Sequence, residues 1–184
     1  MSIDTIKLDG WRDTITGRRF DYATPENYKF DIEEIAHALS QLCRFTGHTK
    51  EFYSVAQHSV MVSWLLPPEL RLIGLLHDAA EAFVGDINAP LKQLLPQVKE
   101  LENRIQAAIY KQYGVVDTIR AAAMVKEADI RMLMTEKRDL MPGMPLDEWG
   151  DWVKRYKPMR AKIEPWTPQY ARYQFIEDCY NHLR

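Results

Sequence analysis

The sequence predicts an all-α protein, a bundle of about six or seven helices with a small β-hairpin ahead of it. Three observations carry this reading. Apolar residues recur with a helical period along most of the chain. Capping residues and prolines mark where successive helices open. Alternation with period two is confined to one N-terminal stretch, Thr14-Ile15-Thr16-Gly17 followed by Arg18-Arg19-Phe20-Asp21-Tyr22, which suggests a hairpin about Gly17.

The helices follow in order. Asp31 caps the first, with Glu34 three positions on. Its stripe is Ile35, Ala38, Leu39, Leu42 and Cys43, and it runs to about Arg44-Phe45 before Gly47-His48-Thr49 breaks it. Ser54 and Gln57 form a second capping box, opening a helix with Val55, His58, Val62 and Leu65. Pro67-Pro68 ends that helix, and Pro68 suits the start of the next, whose apolar run Leu72, Ile73, Leu75, Leu76 leads into His77-Asp78. Residues 97–113 keep a helical period through Val98, Leu101, Ile105, Ala108 and Ile109 until Gly114 stops it. Asp117 is the expected cap of a helix through Ile119, Ala122, Ala123, Val125, Ala128, Met132 and Leu133 to about Leu140. Met141-Pro142-Gly143-Met144-Pro145 is a break, residues 146–164 offer one short helix, and Thr167-Pro168 opens the last.

At 184 residues the chain reads most simply as one domain, long enough to bury a core without disulfides. Within it, 1–29 is an N-terminal extension, 30–140 the core and 141–184 a helical C-terminal segment. A net charge of -2 carries no signature of a nucleic-acid polymer or a membrane surface. The two cysteines, Cys43 and Cys179, read as buried thiols of a reducing compartment. No basic region followed by an apolar run opens the chain, and no apolar stretch approaches the ~20 residues that span a bilayer. The cytoplasm is the expected location.

Chemistry concentrates in residues 72–92. His77, Asp78, Glu81 and Asp86 follow a buried helix, where ionisable groups are costly unless something binds them. Imidazole and carboxylate together suit a divalent transition metal. On an α-helix His77 and Glu81 share a face, whereas His77 and Asp78 point about 100° apart, so further ligands must come from elsewhere. His58 and Asp129, each set among apolar neighbours, complete two imidazoles and two carboxylates, enough for one ion with positions left for water and phosphate.

His58, then His77-Asp78, then Asp129 resemble the H…HD…D signature of the HD-domain metal-dependent phosphohydrolases. The closer resemblance is to the bacterial 5'-deoxynucleotidases and phage deoxynucleoside triphosphate hydrolases of that superfamily. Supporting stretches are Arg44-Phe45, Ser54-Val-Ala-Gln-His58-Ser, His77-Asp-Ala-Ala-Glu81 and Gly85-Asp86-Ile-Asn-Ala-Pro90-Leu-Lys92, within about residues 31–140.

The resemblance implies an HD-domain helical bundle and one divalent metal (Co, Mn, Zn, Fe or Mg) on His58, His77, Asp78 and Asp129. No histidine between His77 and His182 offers a second metal site. Asp86 would orient or deprotonate the attacking water. Glu81 would be an acid/base carboxylate, or would simply tie His77 through an i,i+4 contact. Arg44 offers a planar fork for phosphate; Lys92 and His48 could add charge, although a solvated surface or loop role is open for each. Phe45 and Pro90 could wall the base pocket.

The implied activity is hydrolysis of deoxynucleoside 5'-monophosphates, by a homo-oligomer acting on a small nucleotide. The alternatives are a dATP-like triphosphohydrolase and a nucleotide-binding HD protein without turnover. His37 reads as a surface residue. Trp149, Trp152 and Trp166 read as core or subunit contact, and Glu136, Arg138 and Asp139 as a charged patch of structural or oligomeric role.

Overall fold

The computed structural model describes residues 10–143 and 146–183. It is an all-α bundle with one two-stranded hairpin, as the periodicity predicts. Strands β1 (Trp11–Asp13) and β2 (Arg19–Asp21) pair antiparallel, with Arg12 opposite Phe20, and Gly17 takes the left-handed turn position at φ +73°. The hairpin docks through Phe20, which is fully buried with its ring 4.4 Å from that of Phe83. The Tyr22 hydroxyl adds a 2.8 Å hydrogen bond to the Phe83 carbonyl.

Helix α1 (Ile32–Gln41) begins at Asp31, whose carboxylate accepts from the Glu33 N–H. It does not form the expected capping box. Glu34 turns inward, is buried, and accepts from the Tyr28 hydroxyl, the Thr16 hydroxyl and Arg18. The helix also ends earlier than its apolar stripe suggests. Leu42 is already extended, and Cys43 pairs across a single antiparallel bridge with Ser54.

Helix α2 (Val55–Trp64) is the pillar of the fold, lying against α1, α3 (Arg71–Leu76), α7 (Ile119–Asp139) and α8 (Pro168–His182). Val55 through Ser63 are all buried, so polar residues on it have no route to solvent. Ser54 caps it as expected by accepting from the Gln57 N–H. The Gln57 amide serves the C-terminal segment instead, donating to the Glu164 carbonyl and accepting from the Trp166 N–H.

Two apolar clusters flank α2. One joins Phe20, Phe30, Ile35 and Leu39 to Leu75, Leu76, Ile105, Ile109 and Phe175. The other joins Tyr53, Met61, Val62 and Ile73 to Val125, Ala128 and Met132.

Single-turn helices α4 (Glu81–Val84) and α5 (Ala89–Lys92) follow α3, then the long α6 (Pro96–Gln112) and α7. The cap of α7 is Thr118, whose hydroxyl accepts from the Ala121 N–H, and not Asp117. The expected stripe holds from Val125 onward and fails in the first turn. Ile119, Ala122 and Ala123 face outward, while Ala121, Val125, Ala128 and Met132 are buried. Residues 146–164 carry two short 3₁₀ segments, Leu146–Trp149 and Asp151–Arg155, in place of one helix.

The three tryptophans do not form one cluster. Trp166 stacks with Trp64 and Tyr170, Trp152 with Tyr156, and Trp149 lies under the Lys137 ammonium. The expected break at 141–145 and the N-terminal extension each reach beyond the described residues. No helix among the described residues is long and apolar enough to cross a membrane.

Gly74 sets how closely α3 approaches α2. A Cβ there would stand 2.3 Å from Leu66 Cδ1 and 3.3 Å from the Ser63 Cα. Overfilling such a contact costs about 1–3 kcal/mol. Gly74→Ala is therefore expected to lower the unfolding free energy by that amount, read as a lower urea midpoint at unchanged slope, and an unshifted midpoint would show that Leu66 yields freely.

Candidate metal centre

The apolar residues of α3 anchor the segment that carries His77 and Asp78. After Leu76 the chain tightens. Ala79, Glu81 and Ala82 donate to the carbonyls of Leu76, Asp78 and Ala79, three residues back. In such winding residues three apart eclipse, so Asp78 and Glu81 share a face and the His77–Glu81 pairing expected of an α-helix is lost. His77 Nδ1 donates instead to the Gly74 carbonyl at 2.7 Å. This fixes the tautomer and leaves Nε2 with its lone pair free.

His58 is held in the same sense by a different partner. It is fully buried on α2, and its Nδ1 lies 2.6 Å from Oε1 of Glu136, also fully buried on α7. With Nδ1–H donating to that carboxylate, Nε2 is the nitrogen left to take either a proton or a metal.

Neither Nε2 has a hydrogen-bond partner. Asp78 Oδ2 lies 3.2 Å from His77 Nε2 and 3.6 Å from His58 Nε2, and Asp129 Oδ1 lies 3.4 Å from His58 Nε2. Ligand atoms of His58, His77 and Asp129 fall within 4.8 Å of one another. The four residues read from the sequence thus converge from α2, the turn after α3, and α7. Two unpartnered imidazole nitrogens facing two carboxylates fit one divalent cation with nitrogen and oxygen ligands.

The surrounding charge divides the carboxylates into two groups. Asp78 is held below the usual carboxylate range: burial works against the anion, but the charge and close approach of His77 and the charge of His58 prevail. Asp129 is held well below that range against the same burial, by the close approach and charge of His58, by His77 and by Lys126. Burial, Asp78 and Asp86 push Glu81 well up, although Arg44 and Lys92 oppose them. Asp86 is raised by burial and Asp78 against the pull of Arg44. Such separation is how neighbouring carboxyl groups come to serve as anion and as proton carrier.

Arg44 is buried behind the centre. Its guanidinium spans Glu136 Oε2 at 3.3 Å, Asp78 Oδ2 at 3.6 Å and Asp86 Oδ2 at 3.9 Å. It enters from a sharp reversal in which Phe45, Thr46 and Gly47 all have positive φ, at 54°, 54° and 81°. Left-handed backbone is costly for the first two. The reversal is held by the Arg44 N–H on the Tyr53 carbonyl and the Lys50 N–H on the Leu140 carbonyl. Gly85, at φ +87°, turns the chain to deliver Asp86.

An open cleft of ≈ 260 Å³ reaches the ligands from the other side. His77, Asp78 and Asp129 form its floor, with Tyr110, Asp117 and Lys126 as its remaining polar lining. The residues expected to bind substrate do not line it. Arg44 and the half-buried Phe45 stack with each other behind the ligands, His48 and Pro90 are exposed, and Lys92 donates to Glu102 at 2.6 Å and lies 3.7 Å from Glu81.

Four residues of the site escaped the sequence reading: Glu136, Tyr110, Asp117 and Lys126. Only Glu136 left a signal there, since it lies seven residues after Asp129 and shares its helix face. It is not part of a charged patch with Arg138 and Asp139. Those two pair with each other and bind the backbone at 159–163.

The metal-free site has a pH dependence of definite sign. Burial and Arg44 oppose a charge on His58, yet Glu136, which accepts the hydrogen bond from its Nδ1, and the nearby Asp129 carboxylate carry its pKa up to about 9 from 6.5. A folded-state pKa above the unfolded one contributes stability that is complete below about 6.5 and lost as the pH rises through about 9. Chelator-treated protein is therefore expected to melt at progressively lower temperature across that window, and His58→Asn to remove this component. A melting temperature that stays level from pH 6.5 to 9 would contradict the assignment.

Comparison with known proteins gives two clear relatives. The chain is 45% identical over 139 residues to the uncharacterized protein YfdR of Escherichia coli K12, a match covering 76% of this chain and 75% of YfdR. It is 34% identical over 131 residues to an uncharacterized protein of Rhodobacter capsulatus, covering 65% of this chain and 67% of that protein. No family model matches the chain.

Proposed function

The chain belongs to the family of YfdR, and for this member we propose a metal-dependent phosphohydrolase of the HD-domain type that releases phosphate from deoxynucleoside 5'-monophosphates. The observation that carries the proposal is the convergence of two unpartnered imidazole nitrogens with Asp78 and Asp129, beside an open cleft that His77, Asp78 and Asp129 line. The resemblance of His58, His77-Asp78 and Asp129 to the HD signature supports the same chemistry.

A divalent cation held by His58, His77, Asp78 and Asp129 would supply Lewis acidity toward a phosphoryl oxygen and acidify a water. The protein's own groups divide the remaining work. Lys126, at the cleft and 2.8 Å from Asp129, brings positive charge to an entering phosphate. Asp86, linked to Asp78 through Arg44 and with its carboxyl raised by burial, accepts the proton of the attacking water. Glu81, pushed further up, holds a proton for the departing 5'-oxygen as the P–O bond breaks. Arg44 is committed to Asp78, Asp86 and Glu136, so its part is to hold these carboxylates together.

The cleft supports a monophosphate over a triphosphate. At ≈ 260 Å³ it lies below the range of about 300–1,000 Å³ common for drug-sized ligands. Lys126 is also the one cationic side chain among its lining residues, too little charge for a polyphosphate.

Protein loaded with manganese, cobalt or zinc is expected to release inorganic phosphate from dAMP or a related monophosphate, and to lose the activity on chelation. Asp129→Asn should abolish tight metal binding. Asp86→Asn should retain the metal and lower kcat by about 10²–10⁴-fold, the usual contribution of a positioned proton acceptor. Tripolyphosphate from dATP would redirect the assignment to triphosphates, and inert metal-loaded protein would remove the hydrolase.

A further inference from the structure

We propose that Glu136 is the positioning residue of the metal centre, a single buried carboxylate that sets the tautomer of His58 with one oxygen and seats Arg44 against Asp78 and Asp86 with the other. The inference rests on the metal-centre reading and adds a residue that the resemblance does not supply.

Geometry carries it. Glu136 has no exposure to solvent, and both of its oxygens are used. Oε1 meets His58 Nδ1 at 2.6 Å, a short bond typical of a charge-assisted pair. That contact directs Nε2 to the point where Asp78 and Asp129 converge. Oε2 meets Arg44 Nη2 at 3.3 Å, and Nη1 of the same guanidinium lies 3.6 Å from Asp78 and 3.9 Å from Asp86. Glu136 is thus joined to ligands from two separate elements and to the proposed proton acceptor.

Its place on α7 gives the arrangement its register. Asp129 and Glu136 are seven residues apart, two helical turns, so both project from one face toward α2. One rigid helix therefore supplies a ligand and the group that orients another ligand. His77 obtains its orientation from a main-chain carbonyl, which no substitution of its own side chain can remove. His58 depends on a side chain, which makes Glu136 the point where the centre can be unset. Carboxylates that orient a metal-binding imidazole change metal affinity by about 10–100-fold when replaced.

The test uses zinc as the probe and the full chain. In zinc-loaded wild-type protein, long-range ¹H–¹⁵N spectra of the histidine rings should show His58 protonated at Nδ1 and coordinated at Nε2. Glu136→Gln should fold, as judged by circular dichroism, and bind zinc about 10–100-fold more weakly in competition with a chelator. Because that change strands the Arg44 charge, Arg44→Met and Arg44→Met with Glu136→Gln form a second pair free of it. The double variant should again bind zinc at least about tenfold more weakly than the single one.

Equal zinc affinity within that pair, or coordination of His58 through Nδ1, would overturn the inference while leaving the metal centre intact. Wild-type protein that takes up no zinc, manganese or cobalt would overturn the metal reading and this inference with it.

Discussion

Five carboxylates, Asp78, Glu81, Asp86, Asp129 and Glu136, are drawn together beside two imidazoles and one buried guanidinium. Concentrating that much negative charge away from water is unfavourable unless positive charge accompanies it. Arg44 neutralises part of it from behind, and Lys92 and Lys126 reach Glu81 and Asp129 from the rim. What remains is met either by a proton on His58 or by a cation shared among the unpartnered ligand atoms. The two are exclusive at His58 Nε2, so the same site that invites a metal also resists it at low pH.

The rest of the fold can be read as the scaffold for that concentration. A helix buried on all sides is needed to hold an imidazole in the interior, and α2 meets this with Val, Ala, Met and small Ser residues around His58. The glycine of α3 lets that helix pack close to it, and the apolar residues of α7 bring Asp129 and Glu136 to the opposite side. The hairpin and α8 close the other apolar cluster and take no direct part in the centre.

Much of this was legible in the sequence because local signals and burial agree there. The hairpin about Gly17, the Ser54 and Thr167 caps and the stop at Gly114 all sit where short-range chemistry puts them. The convergence of His58, His77, Asp78 and Asp129 was legible because ionisable residues inside apolar periodicity are conspicuous. The failures have specific causes. Glu34 and Gln57 sit where a capping box would use them, but buried partners elsewhere claim their side chains.

Thr118 caps α7 in place of Asp117, which lines the cleft. Glu136 was hidden by its charged neighbours, since sequence proximity to Arg138 and Asp139 says nothing about which way a helix face points. The cleft itself depends on how α3, α6 and α7 meet, which no local pattern encodes.

The reversal at Phe45-Thr46-Gly47 bears on how the molecule is made. Two left-handed non-glycine residues in succession are disfavoured by the chain's own preferences, so the bend cannot persist as an isolated peptide. Beyond the nearby Tyr53 carbonyl, its supports are the Leu140 carbonyl and Glu136, the latter 92 residues beyond Arg44. During synthesis Arg44 therefore waits for the end of α7 to emerge before it can seat. The charged centre is completed late, since a nascent chain that stops short of residue 136 lacks the carboxylate that seats Arg44.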